Sequence, residues 1–242
     1  MIDVQTLIVV ALVAVLAAML GAVAGFGGAA LMLPVLTWAF GVRDAIPILT
    51  VAQLIGNASR AWFNRRELAW PVVGWFALGA IPMALLGGIV FASAPAPVLR
   101  RLLGGFLLAT VLFRHTAAGR EARPSLREFA LIGAVFSFLS ALLGSVGPIM
   151  APFFLAYGLV KGAYIGTEAL STVMMRVPTL VAYGGASILR LETVAGGAAI
   201  GLVMILGSYL GKQALDRVPE RVFPLLVEAV LVVAGVQFLV FS

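Results

Sequence analysis

The stretch GAVAGFGGAALMLP, residues 21–34, interrupts an apolar run that covers residues 4–40. Glycine costs roughly 1 kcal/mol relative to alanine in a helix interior, so Gly25, Gly27 and Gly28 disfavour a continuous helix here. In a bilayer no water reaches the backbone groups that such a break frees, and the break is tolerated only where it is buried in protein or lines a wet cavity. The stretch therefore predicts a broken helix whose break is either buried in protein or lines a cavity.

The composition assigns the chain to the membrane class. Its 242 residues are 62% hydrophobic and only 11% charged, which is too little polar surface for a soluble domain. The apolar segments are long enough to cross a hydrocarbon core of about 30 Å. In that core the backbone N–H and C=O groups must be hydrogen-bonded within the protein, which these segments achieve as helices. No Lys or Arg precedes the first segment, so we predict a retained helix and not a cleaved signal peptide. The expected fold class is an all-α polytopic membrane protein.

The sequence also argues against several function classes. It contains no cysteine, and its only histidine, His115, lies in the central loop, so we expect no thiol chemistry, no Ser–His pair at depth and no metal site. The stretch GSYLGKQ, residues 207–213, has the wrong spacing for a phosphate-binding loop. The basic residues are scattered through short loops, as membrane orientation requires. We predict a protein that is not an enzyme and that has no cofactor and no nucleic-acid partner.

Apolar segments divide the chain into two halves around a polar centre. The predicted segments are 4–24, 29–40, 45–62, 70–92, 99–113, 129–143, 148–160, 163–183, 193–211 and 222–241. The polar stretch 114–128 separates a first membrane repeat, residues 1–113, from a second, residues 129–242. GFGGAALMLP in the first half has a counterpart in GSVGPIMAP, residues 144–152, and the segments after each also correspond. Internal repeats of this kind are common in secondary transporters.

The basic residues predict the topology of the two halves. If each half is a hairpin followed by three crossings, eleven Lys and Arg face one side and four face the other, leaving out Arg176 inside a segment. If residues 129–160 cross only once, the split is eight to seven. The positive-inside rule favours the hairpin. We therefore predict two inverted repeats, each a broken-helix or re-entrant hairpin followed by three transmembrane helices, with residues 114–128 as a cytoplasmic linker and both termini external.

The two hairpin tips, Gly25–Gly28 and Ser145–Pro148, are predicted to meet near the middle of the membrane. The half-helix after each tip directs its free N–H groups and positive dipole end at the space between them, which is a site for an anion. The alternative is that the glycines only let helices pack closely, as in Gly207-xxx-Gly211. We favour the cavity because three glycines in four residues exceed what one packing contact needs.

Polar stripes on the helices that follow the tips add candidate side chains. In 45–62 the stripe holds Thr50, Gln53, Asn57 and Arg60, and in 163–183 it holds Glu168, Thr172 and Arg176, each set at helical spacing on one face. Ionisable residues inside a span are expensive and point to function. We expect Arg176 to face the ligand, because it lies too deep to reach the interface. Arg60 either does the same or snorkels to the nearby interface.

The other stripe residues have two interpretations each. Glu168 is either a proton carrier or, as we favour, a charge partner that neutralises an arginine. Amide and hydroxyl side chains in the stripes either contact substrate or join helices by hydrogen bonds. The predicted substrate site consists of Gly27, Gly28, Gln53, Asn57, Arg60, Ser145, Gly147, Ser171, Thr172 and Arg176, with Glu168 as a coupling residue.

GFGGAALMLP, its weaker repeat GSVGPIMAP and the helix after each resemble the TauE/SafE family of membrane permeases, over nearly the whole chain. The resemblance implies transport of sulfite, organosulfonates such as sulfoacetate, and related sulfur-containing anions across the bacterial inner membrane. We predict a secondary transporter with alternating access around a midplane anion site. The alternative is an anion channel or a non-transporting membrane scaffold. The expected partners are the small anion, the lipid bilayer and a second copy of the chain, bound through small-residue helix faces.

Overall fold

A computed structural model describes residues 4–26, 28–95, 98, 124–144, 146–217 and 219. Within those ranges the chain contains α-helices and no β-strand. The helices, numbered in chain order, are α1 (Val4–Ala24), α2 (Gly28–Phe63), α3 (Trp70–Ser93), α4 (Glu128–Leu143), α5 (Gly147–Ala156), α6 (Lys161–Gly185) and α7 (Leu191–Arg217). The predicted segments 99–113 and 222–241, and residues 114–123 of the predicted linker, lie outside the described residues.

Helix boundaries agree with the predicted segments to within a few residues, with two instructive differences. Helix α5 ends at Ala156, earlier than predicted, because Gly158 adopts a left-handed φ of 98° that a helix cannot continue through. Helix α7 extends to Arg217, where Lys212 and Asp216 form an i,i+4 salt bridge of 2.9 Å. Charge ends an apolar segment in the sequence, but it does not end the helix.

Helix α2 consists of two arms that meet at Gly41, whose φ of 75° and ψ of 158° are not helical. The first arm corresponds to the predicted segment 29–40 and the second arm to 45–62. In the second half of the chain, α5 and α6 follow each other in the same order. The order of a helix, a break, a short helix and a helix with a polar stripe therefore occurs on both sides of the polar centre.

Three helices among the described residues, α1, α3 and α7, are long and apolar enough to cross a membrane. Their outward faces carry large apolar side chains: Leu12 is 61% exposed, Leu78 64% and Leu202 64%. Water would penalise such a surface, whereas lipid does not. The apolar exterior is consistent with a membrane protein whose polar side chains are gathered inside.

The most extensive helix–helix contacts join one half of the chain to the other half. Helix α3 packs most extensively on α4, and α1 on α7. Glycines make both contacts close: a Cβ on Gly79 would overlap the backbone of Ala130, and one on Gly207 would lie 2.5 Å from the Val15 carbonyl oxygen. The first helix of each half is therefore covered by the last described helix of the other half.

Salt bridges lie at opposite ends of the second arm of α2. Asp44, near its start, accepts from Arg190 at 2.9 Å, and Glu67, just beyond its end, lies 3.7 Å from the Lys212 ammonium. The arm between them is about 30 Å long, the thickness of a hydrocarbon core. Gln53 lies about 14 Å along the arm from Asp44, which puts the polar stripe of α2 near the middle of the arm.

Candidate functional site

The breaks between α1 and α2 and between α4 and α5 meet at a buried cavity of about 30 Å³. A Cβ on Gly147 would lie 3.0 Å from the Cβ of Phe26, so the two breaks are in direct contact. Side chains from α2 and α6 complete the wall. The cavity is lined by Gly25, Phe26, Gly28, Ala29, Gln53, Asn57, Arg60, Ser140, Val146, Gly147, Met150, Glu168, Thr172, Met175 and Arg176.

Most of the predicted site residues lie around this cavity. Those that line it are Gly28, Gln53, Asn57, Arg60, Gly147, Glu168, Thr172 and Arg176. Ser171 is fully buried but is not among the lining residues, and its hydroxyl has no hydrogen-bond partner. Gly27 and Ser145 lie outside the described residues. The role of these residues in substrate binding stays a prediction.

Sequence reasoning missed the apolar part of the wall and one polar residue. Apolar residues of the wall cannot be told from other apolar residues of the sequence; these are Phe26, Val146, Met150 and Met175. Ser140 did carry a chemical signal, because a serine one turn before a break in an apolar helix is a candidate for the same wall.

The broken end of α1 is held by side chains from two other helices. Gly25 adopts a φ of 84°, and its N–H donates to the Gly21 carbonyl oxygen at 2.9 Å. Arg60 donates from Nη1 to the carbonyl oxygens of Gly21 at 2.6 Å and Gly25 at 3.2 Å. The Tyr164 hydroxyl donates to the Ala24 carbonyl oxygen at 3.0 Å. Carbonyls that water would satisfy at the surface are therefore satisfied by protein.

The broken end of α4 is held in the same way. Gly144 has a φ of 77° and donates to the Ser140 carbonyl oxygen at 2.9 Å. Arg176 donates from Nη2 to the Gly144 carbonyl oxygen at 2.7 Å and from Nη1 to that of Ser140 at 3.5 Å. The Tyr183 hydroxyl donates to the Ala141 carbonyl oxygen at 2.5 Å. Each break thus has a left-handed glycine, an arginine and a tyrosine at the negative end of its helix dipole.

Amide side chains of α2 fix the orientation of both arginines. Asn57 Oδ1 accepts from Arg60 Nη2, and Gln53 Oε1 accepts from Arg176 Nη2 at 2.6 Å. The Asn57 side chain in turn donates to the Gln53 carbonyl oxygen at 2.7 Å. Arg60 is 8% exposed and turned inward, so it does not snorkel. The stripe of α2 therefore holds two guanidinium groups in place at the cavity wall.

Glu168 has few partners for a buried carboxyl group. It is 3% exposed, its Oε1 accepts from the Thr172 hydroxyl at 3.2 Å, and its Oε2 has no hydrogen-bond partner. Within the described part of the chain it forms no salt bridge with Arg60 or Arg176. Glu168 nevertheless lies close enough to both arginines for their charges to interact, so its role as a charge partner, favoured from the sequence, stays a prediction.

Unpaired polar atoms remain at the cavity wall. Besides Glu168 Oε2, the Arg176 Nε and the Ser140 hydroxyl have no hydrogen-bond partner. Buried polar atoms in proteins are paired with few exceptions, and an exception needs an explanation. Residues that line the cavity therefore hold one guanidinium donor, one hydroxyl and one carboxyl oxygen that have no partner and are themselves buried.

Close helix packing and room for the cavity and its side chains both explain glycines in this chain, at different positions. Gly207 and Gly211, one helical turn apart, pack on the backbone of α1, as expected for glycines that let two helices approach closely. Gly21 instead makes room for a side chain, because its Cβ would lie 2.5 Å from Arg60 Nη1. Gly28 does both: it lines the cavity, and its Cβ would lie 2.8 Å from the Ala17 carbonyl oxygen.

Comparison with known proteins gives one match. The sequence model of the family described as "Sulfite exporter TauE/SafE" matches residues 10–238. That range includes both breaks and every residue that lines the cavity. No curated protein and no solved structure matched the chain.

Proposed function

The chain belongs to the sulfite exporter TauE/SafE family, and from this membership and the geometry of the cavity we propose that it is a secondary transporter of small sulfur-containing anions. The family is one of membrane transporters, which agrees with the apolar helices and is consistent with a protein that is not an enzyme. The substrates that we propose are sulfite, sulfoacetate and other organosulfonates. The proposed location is the inner membrane of a bacterium.

The observation that carries this proposal is the meeting of two broken helices at a cavity with two buried arginines. The N-termini of α2 and α5 bring amide groups and positive dipole ends to the wall. Arg60 and Arg176 add two charges whose donors suit the oxygens of a sulfite or sulfonate group. The cavity of about 30 Å³ holds only one or two water molecules, so the ligand must be small and neighbouring side chains must move to admit it.

Alternating access between two inverted repeats is the mechanism that we propose for this site. The packing of α1 on α7 and of α4 on α3 supports it, as does the equivalent construction of the two helix breaks. In transporters built from inverted repeats, the substrate lies near the midplane at the interface of the repeats. A homodimer also remains a proposal; because Gly207 and Gly211 pack within the chain, another face would form it.

Ligand binding tests the proposed function directly. We expect sulfite, methanesulfonate and sulfoacetate to raise the melting temperature of the purified protein, because a ligand that binds only the folded state stabilises it, by about 2.7 kcal/mol at a hundred times its dissociation constant. Dimethyl sulfone, which has the shape of methanesulfonate without its charge, is the control. Counterflow in proteoliposomes then separates a carrier from a channel. Equal stabilisation by the uncharged control, or none by any sulfur anion, would contradict the proposal.

Cysteine labelling tests the proposed topology. The chain has no cysteine, and Ser93 and Ser125 are both exposed, so the variants S93C and S125C form a matched pair. From the distribution of basic residues, we expect an impermeant maleimide to label S93C in intact cells and S125C only after the membrane is opened. Labelling of S125C from outside would overturn the topology.

A further inference from the structure

Three charged side chains line the cavity, and their formal charges do not sum to zero. Arg60 and Arg176 each carry a positive charge, whereas Glu168 is the one carboxyl group among the lining residues. All three are nine-tenths buried or more. Water therefore does little to screen an imbalance between them.

The helix ends at the cavity do not change this balance. The C-termini of α1 and α4 each contribute about half a negative charge, and the N-termini of α2 and α5 each contribute about half a positive charge. These four partial charges cancel. The formal charges of the side chains are therefore what a ligand meets.

The other charged residues of the neighbouring helices do not line the cavity. In α6 this is Lys161, at the start of the helix, and in α7 they are Glu192, in its first turn, and Lys212, Asp216 and Arg217, in its last two turns. Helices α1, α3 and α5 contain no charged residue, and Glu128, the one in α4, lies at its exposed start. In α2, Arg43 and Asp44 lie beside the break at Gly41, more than two turns before Gln53, the first residue of the stripe that lines the cavity. The Tyr164 hydroxyl, which lies on the same helix as Glu168, donates to the Ala24 carbonyl oxygen at 3.0 Å.

Glu168 lines the cavity, and its buried Oε2 can accept a proton without losing a contact. It has no hydrogen-bond partner, whereas Oε1 accepts from the Thr172 hydroxyl. Neither oxygen is held by a salt bridge to Arg60 or Arg176. Glu168 can therefore be protonated or ionised according to the charge of the bound ligand.

We propose that the site holds a total of two negative charges, and that Glu168 supplies one of them only when the ligand supplies the other. A monoanion binds with Glu168 ionised. A dianion binds together with a proton, which is taken from water onto Glu168 Oε2. In both cases the two arginines are balanced. This inference rests on the proposed function and assigns to Glu168 a role that depends on the charge of the substrate.

Proton coupling to the dianion alone follows by linkage. If the dianion favours the protonated carboxyl group, protonation favours the dianion by the same factor. Above the pH at which Glu168 ionises in the empty site, the affinity for a dianion falls by about tenfold per pH unit. The affinity for a monoanion does not depend on pH in this range.

Sulfate and methanesulfonate provide the matched probes. They have nearly the same tetrahedral shape and differ in charge, and neither changes its protonation near neutral pH. The experiment measures both the affinity and the proton uptake on binding to the purified wild-type protein, in weakly buffered solution with a pH indicator. At a pH above that at which Glu168 ionises in the empty site, we expect about one proton per sulfate bound and none per methanesulfonate.

Variants assign the proton to Glu168. In E168Q, which keeps the size and the acceptor oxygen of the side chain, we expect sulfate to bind without proton uptake and with an affinity independent of pH. The matched control E192Q, at an exposed carboxyl group of α7, should behave as the wild type. If E168Q does not fold, the comparison of sulfate with methanesulfonate on the wild type still decides.

Several results would overturn this inference. These are sulfate binding without proton uptake, equal uptake with both anions, uptake that persists in E168Q, and binding of methanesulfonate but of sulfate at no pH. Each leaves the proposed function intact because an anion still binds. Failure of every sulfur anion to bind is a different outcome, which overturns the proposed function and this inference with it.

Discussion

Replacing Arg176 with alanine is expected to abolish anion binding and to destabilise the protein. The guanidinium donates to the carbonyl oxygen of Gly144 and to Gln53 Oε1, at 2.7 and 2.6 Å. Without it, both acceptors remain buried and unpaired, at about 1–3 kcal/mol each, and a positive charge is lost from the cavity wall. The melting temperature and the methanesulfonate affinity of R176A measure the two effects.

Two further variants make this prediction specific. R176K keeps the charge but lacks the planar fork that reaches several acceptors, so we expect intermediate stability and a weakened anion response. Arg190 serves as the matched control, since its side chain is 63% exposed and pairs with Asp44 at the surface. R190A should cost less than about 1 kcal/mol and leave binding unchanged. A stable R176A that binds methanesulfonate normally would exclude both roles of Arg176.

Among the described residues, the sequence predicted the helices well because apolar length and glycine breaks are local properties. It did not predict what the arginines bind. The acceptors of Arg60 and Arg176 are backbone carbonyls at the ends of α1 and α4, and every residue carries a carbonyl. Only the fold identifies which of them are left open. From the sequence we predicted that Arg176 faces the ligand and that Arg60 either does the same or snorkels, whereas in the structure both donate to backbone carbonyls at helix ends.

Ser171 illustrates the precision that a helical stripe allows. It lies one residue before Thr172, so it projects about 100° away from it around the helix. Thr172 and Arg176, four residues apart, differ by only about 40° and both line the cavity. A polar residue beside a stripe is therefore a weaker candidate than one in phase with it. Glu168 is in phase with Thr172 and Arg176. That it forms no salt bridge could not be predicted from the sequence, because this depends on where both arginine side chains lie in the fold.

Replacing Gly25 with alanine is expected to disrupt the first helix break. Alanine at a φ of 84° is strained, by about 1–2 kcal/mol. The added Cβ would also lie 2.5 Å from Tyr164 Cζ. The ring would have to move, which removes its hydrogen bond to the Ala24 carbonyl oxygen, and overpacking of this kind costs a further 1–3 kcal/mol, roughly. We expect a lower melting temperature and weaker anion binding.

Gly41 provides a control that isolates the contact from the strain. Its φ is 75°, but a Cβ there would meet nothing within 4 Å. G41A should therefore show a loss from backbone strain alone. Because its ψ of 158° belongs to a region almost restricted to glycine, the amount by which the loss in G25A exceeds it is a lower bound on the cost of the collision with Tyr164. Shortening the ring in the double variant G25A/Y164L should recover part of that difference, because neighbouring substitutions are not additive. Equal losses in G25A and G41A, with no recovery in the double variant, would mean that backbone strain alone requires glycine at this break.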